Sequence, residues 1–370
     1  MPRDFSILHL GKFYPPHNGG METHLYDLAV RQAQQASVAV IVSNNAARWV
    51  QSLEDGVTVT RVPRLGTIAS MPVCPSLNLA IRRSPADLVH IHVPNPGAAL
   101  ALLLSGHNGK IIVTHHADTL GRRALRSLSD PFVQNIMVRA EAIIATSSRY
   151  MESSEELRRW RHKCHVIPLG IDVEKHVLAP DTPAKVREIH NAHGERIIVA
   201  VGRLVPYKGF DVLIRAMKAV DGKLLLIGSG PLEQQLINLR NSEKLQSKIE
   251  ILGRVEHIVP YYRAASVFIL PSLTRAEAFG LVQVEAMAFG LPVINTWIDS
   301  GVPEVSVDGI TGSTVLPGDP ATLARAIQAL LDNDALRHRL GKAARERVLT
   351  RYTADHMAEQ TMSLYREILA

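Results

Sequence analysis

Residues 196–209 read RIIVAVGRLVPYKG, a continuous apolar run that stops at Gly202 and passes into a loop carrying Arg203, Lys208 and Gly209. Apolar side chains at successive rather than alternate positions predict a strand buried on both faces, as in a parallel sheet covered by helices. The same pattern continues with KLLLIGSG (223–230), IEILG (249–253), SVFILPS (266–272) and LPVINT (291–296). It is already present earlier in the chain: FSILHL (5–10), SVAVIVS (37–43), VTVTRV (57–62), DLVHIH (87–92), KIIVTHH (110–116), AIIATS (142–147) and CHVIPLG (164–170). Segments of helical period separate most of these runs, which reads as α/β architecture with two similar, doubly wound domains. A polar stretch containing HVLAPDTPAK, within 172–194, marks the hinge. The expected domains are 1–180 and 181–352, and the segment from about 320 to 369 is helical in period with no strand after it.

Composition supports this and removes several classes. The 370 residues are 46% hydrophobic and 21% charged, which excludes disorder and suits two domains of about 150 residues each. Cys74 and Cys164 alone cannot build a disulfide framework or a thiolate metal site, so a reducing compartment, the cytoplasm, is expected. The opening MPRDFSILHLGKFYPP has no cationic segment followed by a long apolar one, and the purely apolar run 98–104 is far shorter than the roughly 18 residues of a spanning helix. The formal charge of +6 belongs mainly to residues 1–190, which hold 21 Lys and Arg against 16 Asp and Glu. That excess admits anionic small substrates, an acidic membrane surface or nucleic acid.

Three loops carry the chemistry. EAFGLVQVE (277–285) follows the run SVFILPS and opens an apolar-periodic helix; Gly280 at that turn permits close backbone approach, and the helix start offers free N–H groups to an anion. Glu277 and Glu285 stand eight residues apart, about 12 Å along a helix, so they can serve opposite ends of one long ligand. GRLVPYKG (202–209) leaves its strand at the carboxyl end, where open α/β sheets bind ligands, and places Arg203 and Lys208 where a diphosphate would lie. Gly19 and Gly20 sit between FSILHL and a helix carrying Leu25, Leu28 and Ala29, a second position for backbone approach to phosphate.

These elements together resemble the family 4 glycosyltransferases, retaining enzymes of the two-Rossmann glycosyltransferase-B fold. The resemblance runs the length of the chain, through GGME (19–22), DLVHIHVPNP (87–96), HHAD (115–118), IPLGID (167–172), GRLVPYKG, GSGP (228–231), the EAFGLVQVEAMAFGLPV block (277–293) and VPEVSVDGITG (302–312). It implies two domains facing a cleft, with the last helix (353–370) crossing back to the first domain. It further implies that Glu277 binds donor-sugar hydroxyls near the anomeric centre, that Glu285 accepts from the ribose, and that Arg203 and Lys208 hold the diphosphate. The backbone of Phe279, Gly280 and Leu281 would complete the phosphate site, Gly20 with Gly19 would meet it from the first domain, and Arg254 and Val255 would lie near the base. His116 would hydrogen-bond the transferred sugar; His115, adjacent on the strand, should point to the opposite face. The sequence departs slightly at Ala278, where the family often has Gly or Pro.

The implied activity is transfer of a hexose, without metal or cofactor, from a nucleotide sugar to a hydroxyl of a glycan or polyprenyl-diphosphate-linked acceptor in polysaccharide or glycoconjugate synthesis. HHAD resembles a stretch of bacterial polysaccharide mannosyltransferases, which favours GDP-mannose over a UDP-hexose. A sugar-nucleotide epimerase or phosphorylase on the same architecture, or a sugar-nucleotide-binding scaffold without turnover, are the competing readings. Asp332-Asn333-Asp334 resembles a metal-binding Asp-x-Asp but reads as a helix end with an N-cap. His90 and His92, with His115 and His116, suggest zinc, yet no carboxylate follows at a ligand-like spacing. GSG at 228–230 lacks the third glycine of a dinucleotide fingerprint, since position 233 is Glu. Arg122, Arg123 and Arg126, and the segment LRRWRHK (157–163), mix cations with apolar anchors as a helix on an anionic membrane would, consistent with a peripheral location at the inner face of the plasma membrane. No recognised nucleic-acid module accompanies them.

Overall fold

The computed structural model describes residues 5–17, 19–68, 71–118, 123–177 and 182–370, with the side chains of 123–130, 176–177 and 182 outside that description. The chain forms two compact units, Met1–Gly170 with Ala354–Ala370, and Ile171–Thr353. The division falls ahead of the expected 180/181, because Ile171 already bridges to Thr353 and its amide donates to Tyr352 of the second unit. Thr182–His193 is a helix, so part of the expected hinge is regular structure.

In the first unit an eight-stranded sheet runs in the order Cys164–Val166, Ala142–Ala145, Lys110–His115, Leu88–Val93, Ser6–Leu10, Ser37–Ser43, Val57–Val62, Val50–Glu54. All neighbours are parallel except the last pair. The six residues of Leu88–Val93 are all buried, as a strand covered on both faces requires. Strand order reverses between Ser6–Leu10 and Leu88–Val93, so the ligand crevice of such a sheet lies at their carboxyl ends.

The helix Gly20–Gln32 covers one face through Leu25, Leu28 and Ala29, and the C-terminal helix Ala354–Leu369 joins the same core through Met357, Met362, Leu364 and Tyr365. The tail therefore returns to the first unit. Arg31 Nε, 2.5 Å from Asp355 Oδ1, ties the two helices at the surface.

The second unit holds six parallel strands in the order Ile249–Gly253, Lys223–Ile227, Ile197–Val201, Val267–Leu270, Val293–Thr296, Gly312–Val315. Its switch lies between Ile197–Val201 and Val267–Leu270. Helices Pro320–Leu331 and Asp334–Arg351 complete it; Asp319 and Asn333 cap them by accepting from backbone amides in their first turns. Asp332 instead meets Arg196 at 2.7 Å, so Asp332-Asn333-Asp334 is a helix junction.

Four short strands were not expected from the apolar runs. Val50–Glu54 is an edge strand of alternating exposure, turned by Asp55 (φ 49°) and Gly56 (φ 82°) into Val57–Val62. Gly66–Ile68 and Met71–Val73 form a small separate ladder, and Gly312–Val315 closes the second sheet.

Candidate active site

In the second unit, the loops after the two strands flanking the switch carry the residues expected to act. From the first comes Lys208, at the end of the single turn Pro206–Lys208; from the second comes Glu277. Their side chains meet, with Lys208 Nζ 2.5 Å from Glu277 Oε2 and the two side chains 8% and 11% exposed. Ser272 Oγ donates to the same carboxylate oxygen at 3.2 Å. The expectation gave them separate duties, on diphosphate and on sugar; the structure joins them into one buried pair.

Glycine makes this approach possible. Gly209 has φ +67°, and a Cβ there would fall 2.1 Å from the carbonyl oxygen of Pro271. The first loop is therefore pressed onto the backbone of the second. Leu273 N donating to Tyr207 O at 2.7 Å fastens the same contact.

Past Glu277, Gly280 adopts φ +73° as the N-cap of Leu281–Ala288, with no side-chain cap. The amides of Phe279, Gly280 and Leu281 donate to no described residue, leaving a helix entrance with unused donors. That is an anion site in physical terms: fixed N–H groups and the positive end of the helix dipole. Gln283 and Asn295 lock this entrance from behind. Gln283 Nε2 donates to Phe279 O at 2.8 Å, and Asn295 Nδ2 to Val302 O and Ser306 O at 3.0 and 3.1 Å.

Glu285 lies one turn along that helix, where its Oε2 accepts from Tyr262 Oη at 2.9 Å. Burial, then the Glu285 charge, push the Tyr262 phenol well above its usual range, so it remains a donor. Arg203, on the same loop as Lys208, is exposed; burial, then the Glu277 charge, raise the Tyr207 phenol above its usual range against the opposing charges of Lys208 and Arg203. The loops GRL and GSG lie against each other, Leu204 N donating to Ser229 O at 3.0 Å, and Gly228 N donates to Gly253 O at 2.8 Å. Arg254, exposed, and Val255, half-buried, continue that row.

In the first unit, strands Ser6–Leu10, Leu88–Val93 and Lys110–His115 bring histidines together. His9 pairs in register with His90, and His92 lies two residues on. His116 Nε2 is 3.2 Å from His92 Nδ1, and His24 packs edge-on to both rings. His115 points away from this cluster, with Nδ1 2.7 Å from Tyr150 Oη and Nε2 3.1 Å from Glu156 Oε2, so the expected opposition of 115 and 116 is present. Burial lowers the pKa of His9 to about 4 and of His116 to about 3, and holds His24, His90 and His92 well below the usual range.

Gly19 caps the helix Gly20–Gln32 without a side-chain hydrogen bond, and nothing lies within 4 Å of a Cβ built on Gly20, so that backbone is open to approach. An acidic side chain, Glu22, folds over Gly19, a feature the glycine reading did not include. Arg122 lies outside the described residues, as do the side chains of Arg123 and Arg126. In LRRWRHK two of the cations are engaged locally, Arg161 donating to Glu152 O and Lys163 to Val138 O and Ala140 O at 2.8 Å each, while Arg158 and Arg159 are exposed. Among the described residues no helix is long and apolar enough to cross a membrane.

Tyr262, Ser272, Gln283 and Asn295 were not singled out by the motifs. Each acts through one buried hydrogen bond or a small set of them, and nothing in a linear pattern distinguishes such a residue from its neighbours.

The chain is similar to known glycosyltransferases in sequence and in fold. The family profile for glycosyl transferases group 1 matches residues 181–347, and that for Glycosyltransferase Family 4 matches 18–175. The O-antigen chain mannosyltransferase C of Escherichia coli is 27% identical over 98% of both chains. A D-rhamnosyltransferase of Pseudomonas aeruginosa is 31% identical over 73% of this chain and 70% of its own. The phosphatidyl-myo-inositol mannosyltransferase of Mycobacterium leprae is 30% identical over 95% and 93%. Among solved structures, Anabaena HepE in complex with UDP and glucose superposes with a TM-score of 0.78 at 20% identity, covering 98% of this chain and 100% of that one.

Proposed function

We infer the reaction from one premise, that this chain belongs to the family 4, group 1 glycosyltransferases and has their glycosyltransferase-B fold. We propose that it transfers a hexose, with retention, from a nucleoside diphosphate sugar to a hydroxyl of a glycan or lipid-linked acceptor. GDP-mannose is the favoured donor, on the HHAD segment and on relatives named as mannosyltransferases. A relative named as a D-rhamnosyltransferase adds a 6-deoxyhexose to the range of donors, and a UDP-hexose is the second reading.

The observation that carries this reading is the Lys208–Glu277 pair beside the unused amides of 279–281. A leaving diphosphate gathers negative charge as the bond from the anomeric carbon to its oxygen breaks. The ammonium of Lys208, the exposed guanidinium of Arg203 and the helix entrance at Gly280 stabilise that charge most when it is largest, which lowers the barrier. Glu277, held by Lys208 and Ser272, accepts from sugar hydroxyls. Glu285, oriented by Tyr262, accepts from the ribose, and Arg254 and Val255 border the base. Gly19 and Gly20 offer backbone to the phosphates, and His116 hydrogen-bonds the transferred sugar.

The acceptor hydroxyl attacks from the face the diphosphate leaves. Its oxygen bonds to the anomeric carbon, its proton passes to the departing phosphate oxygen, and no protein base is required. Neither a metal nor a cofactor enters these steps. A lipid-linked acceptor at an anionic membrane surface would suit the basic first half of the chain.

A donor panel tests the reading. GDP-mannose, UDP-glucose, UDP-GlcNAc and UDP-galactose are compared for thermal stabilisation and slow sugar release, with Glu277→Ala and Lys208→Ala beside the wild type. One donor should raise the melting temperature, and release should be lost in both variants. If no sugar nucleotide stabilises the protein, the diphosphate-site assignment fails.

A further inference from the structure

Gln32, His9, His92 and His116 form one line of hydrogen bonds within the first unit. Gln32 Oε1 is 2.7 Å from His9 Nε2, His9 Nδ1 is 3.2 Å from His92 Nε2, and His92 Nδ1 is 3.2 Å from His116 Nε2. The four residues are buried, His116 the least so at 7% exposed.

The protons along this line follow from its first link. A carbonyl oxygen only accepts, so His9 Nε2 carries a proton. Burial keeps each ring neutral, with one proton to place. His9 Nδ1 is then a lone pair and accepts from His92 Nε2–H, and His92 Nδ1 in turn accepts from His116 Nε2–H. The other end of that amide, Gln32 Nε2, is buried without a hydrogen-bond partner among the described residues, so the carbonyl contact to His9 is the side chain's anchor in this line. The His24 ring lies edge-on at 4.9 Å and 78° to His116, and at 5.4 Å and 70° to His92, which holds both ring planes.

We infer that Gln32, through His9 and His92, is a positioning residue that fixes His116 in its Nε2-protonated tautomer and leaves Nδ1 as a hydrogen-bond acceptor. Nδ1 meets no hydrogen-bond partner among the described residues. A neutral imidazole presenting a lone pair takes a hydroxyl and repels an unprotonated phosphate oxygen. The relay thus assigns His116 to a sugar hydroxyl and away from the diphosphate. This meaning rests on the transferase reading above, whereas the tautomer itself does not.

A divalent cation would compete for the same atoms, since His24, His92 and His116 each place a ring nitrogen within 4.8 Å of the others. That trio contains no carboxylate to balance a buried dication, and the hydrogen-bond relay needs no added charge.

The test uses the full chain with isotope-labelled histidine rings, read by long-range proton–nitrogen correlation at neutral pH. His9, His92 and His116 should all show the Nε2–H pattern. Gln32→Leu should mix the tautomers of His116, and Gln32→Glu, which keeps an acceptor, should restore the wild-type pattern. If Gln32→Leu does not fold, His92→Phe preserves ring volume and should mix them equally. An Nδ1–H tautomer of His116 in the wild type, a His116 spectrum unchanged in folded Gln32→Leu, or metal-ligated ring signals would each overturn the relay. Turnover is a separate reading: Gln32→Leu should lower kcat about tenfold with donor KM within about twofold, reversed in Gln32→Glu. The expected tautomers with unchanged kcat would uphold the relay and remove His116 from the sugar.

Discussion

Lys208 Nζ lies 2.5 Å from Glu277 Oε2, and the two side chains reach each other from loops on either side of the strand-order switch in the second unit. Two charges held this far from water are stable only as a pair, and removing one strands the other. Lys208→Met should therefore cost about 3–5 kcal/mol of stability by urea unfolding, and Glu277→Leu a similar amount, while the double substitution costs much less than their sum. Additive losses would mean that the charges are separately solvated. Turnover should fall by about 100-fold or more in both single variants and stay low in the double, because the double replacement restores packing and not charge stabilisation.

Tyr262→Phe removes one buried oxygen and leaves the rest of the ring stacked on Phe289 at 5.5 Å. The Glu285 carboxylate then loses a buried donor, at a cost of about 1.5–3 kcal/mol for a hydrogen bond to a charged group. Under the proposed role of Glu285, donor KM should rise severalfold with kcat nearly unchanged. An equal fall in kcat instead would place Glu285 at the reacting bond.

Gly209→Ala and Gly280→Ala probe two left-handed positions with different neighbours. At Gly209 the new Cβ meets a backbone carbonyl at 2.1 Å, and at Gly280 it meets the Leu270 side chain at 2.6 Å. Backbone cannot rotate aside and a leucine can, so Gly209→Ala should lower the melting temperature more. Both carry the conformational strain of about 1–3 kcal/mol that a left-handed non-glycine residue costs. Equal shifts would show that conformation, and not contact, dominates.

These positions also mark what the sequence made legible. The runs at 37–43, 57–62 and 249–253 are strands with the bounds read from the sequence; the middle of Ser37–Ser43 is apolar throughout because helices and neighbouring strands enclose it, whereas Val57–Val62 and the edge strand Ile249–Gly253 admit Arg61 and Glu250 at half-buried positions. Val50–Glu54 escaped, since an edge strand alternates and Ser52 and Glu54 face Arg61 instead of a core. The place of the GRLVPYKG and EAFGLVQVE loops, each directly after a strand, was legible. Their direct contact was not, because strand order is a property of the assembled sheet. Nor was the histidine relay: His9, His92 and His116 are separated by 83 and 24 residues, and only parallel pairing aligns them.

The C-terminal helix contributes Met357, Met362, Leu364 and Tyr365 to the core of the first unit, and the Tyr365 hydroxyl bonds His90 Nδ1. A chain ending at 352 would expose that core and leave His90 Nδ1 without its partner. It should lose the cooperative unfolding of the first unit and all transfer activity, while Tyr365→Phe costs about 1–3 kcal/mol and stays folded. Full activity in the truncated chain would refute a structural role for the tail.

Acid should destabilise the first unit well before its carboxylates protonate. His9, His24, His90, His92 and His116 are neutral in the folded state because burial disfavours their charged forms, with His9 near 4 and His116 near 3. Unfolded, each returns to an ordinary value near 6.5 and takes up a proton below it. The unfolded chain therefore binds more protons than the native one between about pH 6.5 and the folded values, so stability is complete above that window and falls as pH drops through it. Each histidine adds a slope of up to about 1.4 kcal/mol per pH unit. Unfolding free energies measured from pH 7 to 4.5 should steepen below about 6.5, and His24→Phe, which removes one of the five imidazoles, should flatten the curve by about one proton. A curve flat down to pH 5 would mean that the cluster is hydrated and protonates in place, and the single-proton argument for the His116 tautomer would fall with it.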